Sequence, residues 1–230
     1  MVNLATIRLD IQEVGFAAMG VYWLGKALRA IRLGQTQYYF FLAVDLEAVS
    51  LSSKSAHRQL PAFQELKPDD ALFDGCDVNP DVIQSRYAAG GLCHALVMAE
   101  ATPIAWIWHA QRRYIEDEVR AVFVLPHQAV WDYGVYVPPH LRAGRALLQL
   151  WSAFSKHMIE NGHRYSISRI SAQNRASLRA HKRLAHTCLG SAAFVKLGPL
   201  QFSFSTVRPY LHICASQKGA PEFDFGGLLL

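Results

Sequence analysis

The chain has 230 residues, 51% of them hydrophobic and 18% charged, with a formal net charge of +5 at pH 7. That composition excludes a disordered or fibrous chain and supplies enough apolar material for one sizeable core. The mild basic excess favours an anionic partner, yet no stripe of Lys and Arg interleaved with aromatics marks a nucleic-acid binder.

The amino terminus, MVNLATIRLDIQEVG, lacks the charged-then-apolar layout of a signal peptide. The run VGFAAMGVYWLG is stopped by Lys26 and Arg29, short of the roughly 18 to 20 residues a spanning helix needs. Helical spacing of Ile11, Val14, Ala18, Val21, Tyr22, Leu28 and Ile31 predicts a helix over 11–33, capped by Asp10 and stopped at Gly34. It reads as a helix buried against the domain, with an interfacial helix as the alternative. QTQYYFFLAVDL reads as a strand. From Glu47 to about Ser85 the pattern weakens into short helices and loops around Pro61, Pro68 and Pro80.

Two apolar runs flanking Glu100-Ala101-Thr102-Pro103 read as a buried hairpin, and EVRAVFVL with AVWDYGVYV as a second strand pair. Leu147, Leu150, Trp151, Phe154 and Met158 then mark a helix closing at Asn161-Gly162. RYSISRIS is a strand, NRASLRAHKRL a short helix capped by Asn174, and SAAFVKLGPLQFSFSTV the last two strands around Gly198-Pro199. SQKGAPEFDFGGLLL reads as a loose tail. The fold class is therefore mixed α/β on a largely antiparallel sheet. The expected division is an amino-terminal, acceptor-side region over 1–91, a core over 92–215 and a tail over 216–230.

Cys76, Cys93, Cys188 and Cys214 form no C-x-x-C pair and read as reduced thiols of a cytoplasmic protein. The ten histidines show no H-E-x-x-H spacing, and His181 with His186 is an i, i+5 pair that shares no helix face, so no metal site is expected.

The stretch VPPHLRAGRALLQLW asks for a ligand. Pro138 and Pro139 have no amide hydrogen to continue a ladder, so the strand stops there. The chain then passes through Arg142-Ala143-Gly144-Arg145-Ala146 into a helix whose first amides lack partners. Small residues let an anion approach those amides while two arginines close over it, an arrangement suited to phosphate. A strand-to-helix turn with two solvated arginines is the plain alternative.

VYVPPHLRAGRALLQLW, followed by a strand and NRASLRAHKRLAH, resembles the acyl-CoA-binding core of the GNAT acetyltransferases over roughly residues 92–206. Val137, Pro139 and Arg142, then Asn174, Ser177, Arg183 and Leu184, fall where that family's motifs do. The loop glycine comes one place early, His181 stands where the family usually has tyrosine, and Ala185-His186 replaces Gly-Phe. The resemblance implies a twisted sheet with a V-shaped splay, where the strand after Trp131 parts from the strand beginning near Arg164. It also implies acetyl-CoA, or another acyl-CoA, as co-substrate. Its pyrophosphate would lie on Arg142, Ala143, Gly144, Arg145 and Ala146, and its pantetheine arm along Val135 and Val137, near Asn174.

The implied activity is transfer of an acyl group to a primary amine by direct attack in a ternary complex, with no nucleophile on the protein. His181 is a candidate acid at the sulfur end, or else a packing residue of a short helix. Asp132, mid-strand, is a candidate base; period-two alternation puts it on one face with Gly134 and Tyr136. His94 and His109 are alternates. Asn174 is a helix cap first and a coenzyme contact second. Arg86, Gly90 and Gly91 could line the acceptor cleft, and Arg175, Arg179, Lys182 or Arg183 could reach a 3′-phosphate. The expected partners are acyl-CoA and an amine-bearing acceptor, without nucleic acid or a transmembrane segment, and a homodimer is left open. The rival readings are a catalytically weak acyl-CoA-binding protein and a membrane-surface or protein-interaction module that uses the amino-terminal helix.

Overall fold

A computed structural model describes residues 4–53, 61–73, 78–97, 103–142, 145–184 and 186–229. Among these residues the strands form a nine-stranded sheet and a three-stranded one. The large sheet has the order β11-β10-β9-β1-β8-β7-β4-β3-β2. Its strands are β1 (Gly34–Asp45), β2 (Ala62–Leu66), β3 (Leu92–Val97), β4 (Pro103–Gln111), β7 (Ala129–Tyr136), β8 (Tyr165–Ser171), β9 (Thr187–Leu197), β10 (Leu200–Ser205) and β11 (Leu211–Cys214). Every neighbouring pair in it is antiparallel except β7 with β8. The mixed α/β, largely antiparallel class read from the pattern is the one observed.

The helices are α1 (Leu4–Ala30), α2 (Leu46–Ser53), α3 (Pro80–Ala88), α4 (Ala146–Glu160) and α5 (Arg175–Arg183). One sheet face carries α4, whose Leu150, Trp151, Phe154 and Met158 pack on Val44, Ala105, Ile107 and Val130. On that same face α5 meets β8, and α1 lies over β1. The opposite face is covered by α3 and by the small sheet of β5 (Arg113–Ile115), β6 (Val122–Val124) and β12 (Glu222–Asp224).

The local causes are legible. Asn79 caps α3 by accepting from the Asp81 amide, with Pro80 in the first turn, where a missing amide hydrogen costs nothing. Asn174 caps α5 in the same way through Ser177. In α1 the stripe Ala18, Val21, Tyr22, Gly25 and Leu28 faces the sheet, and a Cβ on Gly25 would run into Thr36 Oγ1.

Five readings need correction. The helix predicted from Asp10 begins earlier, so Asp10 is interior, and Gly15 (φ 84°, ψ 163°) breaks the helical path instead. The weak segment over 47–85 contains an edge strand, β2, which shows little pattern because only Leu66 is fully buried. The predicted partnership of EVRAVFVL with AVWDYGVYV does not form. The chain changes sheets at Leu125-Pro126, so β6 pairs with β5 and β12 while β7 pairs with β4 and β8. Gly198-Pro199 does turn β9 into β10, but β11 and β12 follow. The segment read as a loose tail adds β12 parallel to β6 and puts Phe223 and Phe225 at the centre of the core beside Phe41, Phe123 and Trp131. The hairpin residues Glu100 to Thr102, Cys76, Ala143, Gly144 and Ala185 lie outside the described residues.

Candidate functional site

The β7–β8 pairing is short. It joins Ala129 to Tyr165, Val130 to Ser166 and Trp131 to Ile167, then ends, although β7 continues to Tyr136 and β8 to Ser171. Each strand stays paired on its far side, β7 with β4 and β8 with β1, so the two inner edges diverge into a wedge. Beyond Trp131 those edges have backbone groups to offer an extended ligand.

A bulge in β7 shapes the wedge. Trp106 pairs with Tyr136 and Trp108 with Tyr133, so three steps of β7 match two of β4. Gly134 takes the left-handed conformation (φ 56°) inside the bulge, and a Cβ there would lie 2.6 Å from Arg86 Nη1 and 3.0 Å from Trp108 Cδ1. The bulge corrects the alternation argument: Tyr136 stacks on Trp106 (4.2 Å between centroids), on the face of Tyr133 and opposite Asp132. Val135 is partly exposed at the bulge.

Asp132 and Ser168 are the first residues past the end of the pairing. Asp132 is buried, and Ser166 Oγ donates to its Oδ1 at 2.6 Å. Burial pushes its carboxyl up to about 7, against the hydrogen bonds from Ser166 and Ser168. His181 is buried as well. Its Nδ1 lies 3.0 Å from the Ser177 carbonyl, which can only accept, so Nδ1 carries the hydrogen and Nε2 is left as an acceptor 3.2 Å from Ser168 Oγ. Burial lowers its pKa, which keeps the imidazole neutral. Ser168 therefore joins the two predicted catalytic residues in one buried line, with Trp151 edge-on against the His181 ring.

The alternates His94 and His109 continue the polar seam beneath α4. His109 is the cross-strand neighbour of Asp132, and its Nε2 lies 3.2 Å from His94 Nδ1. His157 of α4 lies tilted against His94, with ring centroids 4.7 Å apart. Burial, then the neighbouring histidines, push His94 down to about 4 and His109 to about 3. Among the described residues no His, Cys, Asp and Glu cluster suited to a metal is found.

The turn into α4 runs through a 3-10 turn over Pro139–Leu141. Arg142 folds back so that its Nε donates to the Val137 carbonyl at 2.9 Å, and Arg145 is the residue before the helix, with no side-chain cap. Both are exposed, and among the described residues neither meets a carboxylate within 4.0 Å. Ala146 is buried at the helix start. Among the described residues, the start of α4 thus has no side-chain cap and lies next in the chain to two arginines without a carboxylate partner, which fits an anionic ligand. Asn174 is exposed and spends its side chain on the α5 cap.

Across the wedge, on the face away from α4, the Arg86 guanidinium lies 5.4 Å from the Trp108 ring and 5.5 Å from the Tyr133 ring. Gly91 approaches Tyr133 so closely that a Cβ would meet its hydroxyl. Tyr114 and Tyr133 are in contact (4.7 Å), and Arg169 binds Glu116 and Glu118 at 2.6 and 3.1 Å. Sequence reasoning missed Gly134, Ser166, Ser168, Glu116 and Arg169. A glycine inside a strand pattern, and Ser-x-Ser on a strand otherwise buried, were the signals available.

No family model and no curated protein matches the chain. Among solved structures it is similar to a functionally unknown conserved protein from Staphylococcus epidermidis, at TM-score 0.53 and 10% identity, over 74% of this chain and 64% of that one. Looser likenesses include an aminoglycoside N-acetyltransferase in complex with CoA (TM-score 0.37, 18% identity, 54% of this chain and 89% of that one). Another is a tandem GNAT protein from the clavulanic acid biosynthesis pathway (TM-score 0.42, 12% identity, 71% and 55%). The chain spans less than two thirds of the Staphylococcus protein's length, and at these identities the likeness is one of fold.

Proposed function

We propose that the protein is an N-acyltransferase that moves an acetyl or other acyl group from acyl-CoA to a primary amine. The observation that supports this reading is the wedge that opens after Trp131 and Ile167, on the strand that leads into a helix start where, among the described residues, there is no side-chain cap and Arg142 and Arg145 meet no carboxylate. The pyrophosphate would sit on the α4 amides between Arg142 and Arg145, with Ala143, Gly144 and Ala146 allowing close approach. The pantetheine arm would lie along the inner edge of β7 at Val135 and Val137, in the manner of an added strand, with Asn174 beside it.

In a ternary complex the amine nitrogen attacks the thioester carbonyl carbon, the carbon–sulfur bond breaks, and CoA leaves with the electron pair as a thiolate. The proton shed by the nitrogen would pass to the ionised Asp132, whose carboxyl burial lifts to about 7 and so makes a better proton acceptor than an exposed carboxylate. His181 in this scheme stays neutral and, with its one hydrogen held by the Ser177 carbonyl, does not present a proton to the sulfur.

Calorimetric titration with acetyl-CoA, combined with thiol release across a panel of amines, tests the reading. Expected are saturable binding that weakens in Arg142→Ala and Arg145→Ala, and turnover that fails in Asp132→Asn. A second reading, an acyl-CoA binder with little turnover, is favoured by the engagement of both His181 ring nitrogens. Binding with no thiol release from any amine would select it. Absence of acetyl-CoA binding would overturn both.

A further inference from the structure

Among the described residues, nothing covers the face that α1 shares with β1 as it continues across the sheet. Cross-strand register places Thr36, Val195, Phe202 and Ile213 in one row, and Tyr38, Ala193, Phe204 and Leu211 in the next. Paired residues of antiparallel strands project to the same side. Thr36 Oγ1 donates to the Val21 carbonyl at 2.8 Å, which fixes that side as the one under α1. The helix shields β1 and part of β9, then stops. Phe204, Leu211 and Ile213 each keep half or more of their surface open, and Leu200 keeps 41%.

The outer side of α1 extends the same surface. Phe16 is 79% exposed, Trp23 and Leu24 are exposed beside it, and Ile31 and Leu33 follow past the helix end. An apolar area of this kind is unusual on a lone soluble chain. Its charge is one-sided: no Asp or Glu occurs from Val14 to Val44 or from Thr187 to Pro221, the two segments that build it. Lys26, Arg29, Arg32 and Arg208 stand exposed within those segments. Lys26 lies 5.0 Å from both the Tyr22 and Trp23 rings, and Arg208 stacks over Tyr210. Aromatic and aliphatic side chains interspersed with cations, and no carboxylate among them, match the boundary of a bilayer that carries anionic headgroups. No described helix is long and apolar enough to cross a membrane, so the surface would lie on the bilayer.

We infer that α1 from Gly15 onward and the open β10–β11 face together dock the protein on an anionic lipid surface. The test is co-sedimentation of the full chain with vesicles of phosphatidylcholine alone and of equal parts phosphatidylcholine and phosphatidylglycerol, at low and high salt. The expected result is binding to the anionic vesicles that salt weakens. It should fall by about tenfold or more in Phe204→Glu/Leu211→Glu and, separately, in Lys26→Glu/Arg29→Glu/Arg32→Glu, while thermal unfolding stays near wild type. Equal binding to both vesicle types overturns the inference, as does undiminished binding by both variants. So does absence of vesicle binding together with a concentration-dependent dimer that Phe204→Glu/Leu211→Glu breaks, which would assign the face to a second copy of the chain.

Discussion

Arg169 grips Glu116 through two parallel hydrogen bonds, Nε to Oε2 at 3.1 Å and Nη2 to Oε1 at 2.6 Å. The carboxylate is buried, and the guanidinium lies 4.5 Å over the Tyr39 ring. Burial raises the Glu116 carboxyl to about 7 and the Arg169 hydrogen bonds oppose that rise. Removing one partner strands the other away from water, so Arg169→Ala should lower unfolding free energy by about 3 to 5 kcal/mol. Arg169→Met with Glu116→Gln should recover a large part of that. Urea unfolding at pH 7 checks both; a loss within about 0.5 kcal/mol for the single variant, the size of an ordinary surface change, contradicts the pairing.

Asp132 should give stability a pH dependence of known sign. Its folded pKa, about 7, lies above the usual carboxylate value, so its burial is cheapest when protonated. That contribution is whole below about pH 4 and disappears as pH rises through 7. Asp132→Asn keeps an oxygen for Ser166 and cannot ionise. Its stability relative to wild type should climb from pH 4 to pH 8, with a ceiling of about 4 kcal/mol. A difference that stays flat over that range would show that Asp132 is ionised throughout.

His94 and His109 act in the opposite direction. Both folded values, about 4 and about 3, lie below the ordinary imidazole value, so the unfolded chain takes up protons first as pH falls. Stability should decline as pH drops from about 6.5 toward 4. His94→Phe/His109→Phe, which keeps ring contacts with Phe63 and Phe154, should flatten that acid limb. Unfolding curves at pH 7 and pH 4.5 or so settle it; an unchanged limb would place the acid sensitivity elsewhere.

Gly134 bears on both stability and the wedge. Alanine there would hold a left-handed φ and press on Arg86 and Trp108. A cost of about 1 to 3 kcal/mol is expected, since the bulge cannot relax without moving the stack of Arg86 on Tyr133. If the bulge sets the edge that an acyl-CoA arm meets, acetyl-CoA affinity should also fall by about tenfold, equivalent to about 1.4 kcal/mol. Calorimetry below the unfolding temperature separates the two effects.

The helix-period stretches were the clearest from the residues alone. Leu150, Trp151, Phe154 and Met158 announced α4, and Asn174 announced the start of α5. The place where β7 and β8 part came from motif order, not periodicity, and it falls after Trp131 as expected. Other features depended on contacts distant in the chain. Nothing local in EFDF tells whether Phe223 and Phe225 will find Phe123. Ser168 became informative only once α5 folded back to lay His181 over it. Gly134 disturbed the alternation used to assign faces, so Tyr136 landed opposite the expected side.

The position of β1 has a consequence for how the chain is made. That strand is made before its two neighbours, β8 and β9, which belong to residues 165–197, and the aromatic cluster beneath it is completed only by Phe223 and Phe225. A nascent chain must therefore hold an aromatic-rich, unpaired segment until those later elements are made, the condition under which chaperone capture and aggregation compete with folding. Fragments ended before the last strand would inherit that condition permanently.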